Sequence, residues 1–126
     1  MNAVKAAQQA ARKVIESTYF GTFAVTEMQK VKDERSKLVK DRPVVVLENQ
    51  PCRLSFETIK TTVQSDSVAS ISQVTKLFVS PDISIKPGSK ITVSQGNVTT
   101  DYTCSGVPAV YPTHQEIMLE LFERWS

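Results

Sequence analysis

His114, Cys52 and Cys104 are the residues of this chain whose types could make a nucleophile and its base. His114 beside either thiol would form a Cys–His pair, in which the imidazole takes the thiol proton. Both cysteines, however, sit in strand-like alternation, and no third group is placed to orient the imidazole. The pattern reads His114 as a structural, hydrogen-bonding histidine and the two cysteines as buried, reduced thiols. A disulfide depends on a geometry that spacing alone cannot supply. Two Cys and one His at such separations make no metal site. Glu116, Glu120 and Glu123 could act as acid and base, but an acidic series spread along one segment is ordinarily a solvated face. Gly96 and Gly106 are isolated turn glycines, and no glycine-rich phosphate cradle is present. The expectation is a protein without enzymatic activity, metal or cofactor.

The positive charges are more concentrated. Lys30, Lys32, Arg35, Lys37, Lys40 and Arg42 surround one hairpin, where Asp33, Glu34 and Asp41 partly cancel them. Lysines on an exposed strand edge discourage unwanted pairing. The same cluster could instead meet an acidic partner or DNA phosphates.

These residues must be carried by small antiparallel strands. Val98, Thr100, Tyr102 and Cys104 alternate with Thr99, Asp101 and Thr103, after the turn Gln95-Gly96-Asn97. Ile91 and Val93 alternate with Thr92 and Ser94, after Lys86-Pro87-Gly88, with Ile83 and Ile85 leading in as a further strand. Period-two alternation between turns predicts half-buried antiparallel strands. Residues 22–32 form another strand, and 33–37 a charged hairpin tip. The run Val44-Val45-Val46-Leu47 continues past Asn49-Gln50-Pro51 to Cys52, Leu54 and Phe56, either as one strand bent near Pro51 or as two short ones. Proline there removes a ladder donor and favours an edge or a bulge. Residues 74–79 form a strand that ends at Ser80-Pro81-Asp82. Ile117, Leu119 and Leu121 make a strand face, although Ile117, Met118, Leu121, Phe122 and Trp125 would also suit a helix. The turn chemistry of 105–112 selects strand.

Residues 2–16 predict the one clear helix, with Asn2 as N-cap and Val4, Ala7, Ala11, Val14 and Ile15 at helical spacing. A short helix of this kind is marginal alone in water, so it must lie on the β domain or on a neighbouring subunit. Residues 58–73 are polar and aperiodic, with Lys60 and Asp66 as their only charges. They predict a long loop or short helix between central strands, and long loops inside compact domains are often functional.

The fold class is therefore mainly β, a small antiparallel β-barrel with an N-terminal α-helix. At 126 residues the chain is one domain, with residues 1–17 as helix and 20–125 as barrel core. A formal charge of +2 argues against a free-standing nucleic-acid binder. No signal peptide and no apolar run long enough to span a bilayer is present, so a soluble protein of a reducing compartment is expected.

Several blocks in order resemble one family: Gln50-Pro51-Cys52-Arg53-Leu54-Ser55; Val74-Thr75-Lys76-Leu77-Phe78-Val79-Ser80-Pro81-Asp82-Ile83; Ile85-Lys86-Pro87-Gly88-Ser89-Lys90-Ile91; Ser105-Gly106-Val107-Pro108-Ala109-Val110-Tyr111; and His114-Gln115-Glu116. Their order and spacing are similar to head-completion proteins (stoppers, or head–tail connectors) of tailed bacteriophages, most of all the XkdH/YqbH type of PBSX-like prophages of Bacillus. The resemblance covers about residues 20–122 and does not include the N-terminal helix. It implies a β-barrel subunit of a homo-oligomeric ring at the neck of a virion or phage-like particle, assembled in the host bacterial cytoplasm and compatible with a monomer when free. The implied partners are a head–tail adaptor and portal ring on the head side and a tail terminator or tail tube on the other. DNA would pass through the channel without sequence specificity, and no membrane is involved. The resemblance also implies that residues 57–73 project into that channel. The channel loop that it implies comprises Thr58, Lys60, Thr61, Thr62, Gln64, Ser65, Asp66 and Ser67. Two alternatives are a small nucleic-acid-binding β-barrel of OB or SH3-like shape and a tail component. The first would need basic and aromatic residues together on one face, whereas Tyr19, Phe20, Phe23, Tyr102 and Tyr111 are scattered along the chain.

Overall fold

A computed structural model describes residues 2–63 and 68–125, with side chains described outside 59–72. It contains one helix, α1 (Ala3–Glu16), and seven strands: β1 (Gly21–Lys32), β2 (Val39–Val63), β3 (Val68–Val79), β4 (Lys90–Gln95), β5 (Val98–Cys104), β6 (Ala109–Val110) and β7 (Gln115–Leu121). The sheet runs β3-β2-β1-β4-β5-β7-β6, and a further β3–β7 pairing closes six of these strands into a ring. Every strand pair is antiparallel.

Alternation drives the closure. Phe23 and Val25, Ile91 and Val93, Tyr102, Ile117 and Leu119, Leu77 and Val79, and Cys52 all turn inward and are buried. Leu47, Leu54, Ile83, Ile85 and Cys104 pack around them. Burying such side chains is worth about 1.5–3 kcal/mol each, which is what holds the ring shut. Two glutamines finish what the strands leave open. Gln115 is buried and its amide donates to the carbonyls of Ser80 and Ile83 at 3.3 and 2.7 Å. It thereby pins an irregular segment, residues 80–89, across the ring. Ile83 and Ile85 lie on that segment, so the strand expected there is an ordered loop instead. The loop ends in the turn Lys86–Ser89, where Gly88 adopts φ +86° after Pro87 and Ser89 N donates to Lys86 O at 3.2 Å. Proline followed by glycine suits a type II turn.

β2 is one long bent strand, not two. Its pairing with β1 slips between Phe23 and Val25 and again between Val25 and Thr26, and Asn49 takes φ +53°. The bulge bends β2 just before Pro51. From Cys52 back, β2 pairs with β1, and from Arg53 onward it pairs with β3. Where β1 has run out, Gln95 takes its place. Its amide accepts from Leu54 N at 2.8 Å and donates to Leu54 O at 3.2 Å.

The expectations for residues 115–121 and for Asn2 hold. The first is strand β7, and the Asn2 side chain caps α1 by accepting from Lys5 N at 2.8 Å. The expectation for residues 58–73 does not. Residues up to Val63 continue β2, and β3 begins at Val68, paired in unbroken register from Val63↔Val68 to Arg53↔Phe78. A polar, aperiodic stretch forms strands here because backbone pairing between β2 and β3, unlike a half-buried face, needs no period-two alternation.

Candidate functional site

The ring positions two hairpin arms, both built on β2. Along β1, pairing with β4 stops at Thr26, while pairing with β2 continues to Lys32↔Val39. Residues 27–32 and 39–44 are therefore a free two-stranded arm, roughly 20 Å long at about 3.3 Å per residue. Along β3, pairing with β7 spans Thr75–Val79, while pairing with β2 continues to Val63↔Val68. Residues 57–63 and 68–74 form a second free arm of similar length. Each arm leaves strand edges unpaired, and edges of this kind invite contact with another chain.

The first arm carries the basic cluster. Lys30 stands opposite Asp41 and Gln29 opposite Arg42 in the register. Among the described residues, none of the six Lys and Arg side chains around this hairpin makes an ion pair. Lys32, Lys40 and Arg42 are exposed, as are Met28, Val39 and Val45.

The second arm contains the expected channel residues. Thr58 is exposed on β2, Lys60, Thr61 and Thr62 follow on the same strand, and Gln64, Ser65, Asp66 and Ser67 lie outside the described residues.

At the root of the second arm, the outer face holds a ladder of planar groups that the sequence did not reveal. The Arg53 guanidinium lies 4.9 Å from the Phe78 ring centroid. Phe78 lies 6.0 Å from His114, and His114 stacks on Tyr111 at 4.8 Å. Both ring nitrogens of His114 are engaged, Nδ1 with Thr113 Oγ1 at 3.0 Å and Nε2 with Glu116 Oε2 at 2.9 Å. Lys76 Nζ sits 3.7 Å from Glu116 and 3.8 Å from Glu57. The strand registers Arg53↔Phe78 and Phe78↔Glu116 place these groups side by side, although they are remote in sequence.

The structure does not bring a cysteine to His114. Cys52 is fully buried, and burial pushes its thiol up to about 12. Cys104 is half-buried and its Sγ donates to Gly106 O at 3.2 Å. Its thiol is also raised, first by burial and then by the charge of Glu120. A thiol raised in this way is a poor nucleophile at neutral pH. Of the three glutamates, Glu116 belongs to the histidine cluster, while Glu120 and Glu123 line an open groove beside β5 and the C-terminal residues. The aromatic residues are divided. Phe23 and Tyr102 are in the core, Tyr19 is half-buried, and Phe20 and Tyr111 are exposed.

Helix α1 does not pack on the core. None of its residues is buried. Arg12 bonds Ser80 Oγ at 2.7 Å, Asp82 at 2.8 Å and Glu16 at 2.9 Å. These contacts hold the polar side of the helix toward its own ring.

No protein-family model matches the chain, and no curated protein matches it. Among solved structures, the phage-like element PBSX protein xkdH from Bacillus subtilis is similar, with a TM-score of 0.49 and 11% identity over 79% of this chain and 91% of that one. A likeness of that size identifies no family and no role.

Proposed function

We propose that this protein is a structural, non-enzymatic subunit of a ring at the head–tail junction of a phage or phage-like particle, completing the head and helping to close the DNA channel. The observation that carries this role is the pair of free β-arms at the two ends of one strand. A ring of strands filled by its own side chains leaves little interior for a substrate. Two arms with open edges suit a part that contacts neighbours on more than one side. The ordered sequence blocks, Gln50-Pro51-Cys52 through His114-Gln115-Glu116, support the neck as the place.

The second arm is the channel element in this proposal. Between residues 58 and 73 only Lys60 and Asp66 are charged. A surface over which DNA slides should make few phosphate contacts, because each one adds affinity. In this reading residues 57–63 and 68–74 approach the axis on a paired backbone, which is stiffer than a loop.

Deleting the coding sequence from the phage or prophage that carries it tests the role. Electron microscopy should show full heads without joined tails, or heads emptied of DNA. Mature particles that keep their genome would refute it. Replacing residues 59–72 by a tight turn should leave the ring folded but let DNA escape from assembled heads. The competing nucleic-acid-binding role rests on the basic first arm. Tight, salt-sensitive binding of the isolated protein to DNA in a shift assay would favour that role instead.

A further inference from the structure

The first arm leaves the ring at a point where little holds it. β1 pairs with β4 as far as Thr26↔Lys90, and beyond that residues 27–32 pair only with 39–44 of β2. The register slip between Val25 and Thr26 puts a bulge at this root, and a bulge bends its strand locally. A hairpin rooted in this way is free to swing unless something on its face fixes the angle.

The C-terminal residues reach that root. After β7, Phe122 N donates to Asp101 O of β5 at 3.0 Å. The Phe122 and Trp125 rings then meet edge to face at 4.9 Å. Lys90 Nζ of β4 lies 5.7 Å from the first ring centroid and 6.0 Å from the second. Among the described residues Lys90 makes no ion pair. It stands opposite Thr26, the last residue of β1 before the arm. Trp125, the only tryptophan of the chain, lines a cavity of ≈ 140 Å³ together with Glu27 and Met28, the first two residues of the arm, and the turn Lys86–Ser89. The segment thus crosses β5 and β4 and ends beside the place where the arm begins.

We propose that residues 122–125 are a strap that sets the angle of the first arm, and that lifting Trp125 from the arm's root lets the arm swing about Thr26. The strap is suited to release as well as to holding. Its grip consists of one backbone hydrogen bond, one ring pair and one cation over two rings, interactions that are individually weak. Glu123 and Arg124, between the two rings, are exposed, and the pairing of β7 with β5 ends at Leu121. Segments with so few contacts open at low cost. The cavity beside Met28 gives the arm room to move. Holding and release are linked in both directions. A partner that takes the arm at another angle favours the free strap, and one that takes Trp125 frees the arm. The inference concerns how the first arm is aimed and does not depend on what the arm meets, so it and the neck role can fail separately.

Spin labels test it, with Cys104→Ser in every variant and the buried Cys52 left in place. Labels at Glu34→Cys, in the tip of the arm, and Thr99→Cys, on β5 of the ring, should give one narrow distance distribution by pulsed electron resonance. Adding Trp125→Ala should widen that distribution about twofold, while circular dichroism shows the strands intact. Trp125→Phe, which keeps a ring against Phe122 and Lys90, should narrow it again. A distribution that stays equally narrow without Trp125 overturns the inference, and so does one already broad in the labelled parent. The arm's side of the contact is read separately, by the fluorescence of Trp125. Met28→Ala should make that ring about twofold easier to quench with acrylamide. Unchanged quenching would mean that Trp125 does not touch the arm's root, and would overturn the inference as well.

Discussion

Gln95 should matter far more than a half-exposed glutamine at the end of a strand ordinarily does. Its side-chain amide stands where a residue of β1 would stand had that strand continued, and it satisfies both backbone groups of Leu54 at 2.8 and 3.2 Å. In Gln95→Leu the shape is nearly kept and both bonds are lost. Each unsatisfied, part-buried backbone group costs roughly 1–3 kcal/mol. Partial access of water reduces this, so a net loss of about 2 kcal/mol is expected. For a chain of this length, each kcal/mol moves Tm by roughly 3–5 °C, giving a fall of roughly 6–10 °C in a thermal melt followed by circular dichroism. Gln95→Glu separates the two bonds. A carboxylate can still accept from Leu54 N, but it faces Leu54 O without a proton to share. The protonated acid can donate, so the folded state favours the neutral form and raises the acid's pKa. Stability of Gln95→Glu should therefore be close to the parent's at pH near the unfolded value of about 4.3 and fall as pH rises above it. If Gln95→Leu melts within 1–2 °C of the parent, or if Gln95→Glu shows no extra loss between pH 4 and pH 7, the amide is not acting as the missing strand.

Gly21 approaches Gln95 Oε1 and the carbonyls of Ser94 and Cys52 so closely that a Cβ would meet them at 3.2, 3.2 and 3.3 Å. Gly21→Ala should thus cost about 1–3 kcal/mol by overpacking, measured by urea unfolding. Leu77→Ala removes a fully buried side chain between β2 and β7; it should cost about 2–5 kcal/mol, and a smaller loss would mean that the ring collapses into the space. Cys52 should resist thiol reagents in the folded protein, while Cys104 reacts slowly, as a timed labelling and mass measurement would show. Because the folded Cys52 thiol is raised to about 12, its contribution to stability is fully present below the unfolded pKa and is lost as pH rises from there through the folded pKa. Cys52→Ala should remove that part of the alkaline slope. Arg12→Ala should free α1 from residues 80–82, raising amide exchange in the helix while leaving Tm within about 3 °C, since exposed ion pairs contribute roughly 1 kcal/mol or less.

Where alternation met a core, the sequence was legible. Phe23, Ile91, Val93, Tyr102, Ile117 and Leu119 occupy the period-two positions that their burial requires. The turns at Gly88 and Gly96 follow directly from residue type. Gly96 takes φ +63° at the first turn position, as a tight hairpin with glycine there demands. The N-cap at Asn2 was equally local. Residues 58–63 and 68–73 were not legible as strands, because an arm that leaves the core needs no apolar face. The ladder of Arg53, Phe78, His114 and Tyr111 was not legible either, since strand register alone makes neighbours of residues so far apart in sequence.

Composition and local pattern determined that the chain would be mainly β, that a capped helix would precede the strands, and that Cys52, Ile91, Val93, Tyr102, Ile117 and Leu119 would fill the interior, although the same alternation also pointed to Phe56, Val98 and Leu121, which are exposed. Each of these depends on interactions between residues a few positions apart or on simple burial. Tertiary structure decided that β2 bends at Asn49 and serves two arms, that Gln95 stands in for a strand, and that α1 turns its polar side toward its own ring. These outcomes depend on which strand ends first and on which distant carboxylate Arg12 reaches, and such long-range choices leave no periodic trace in the sequence.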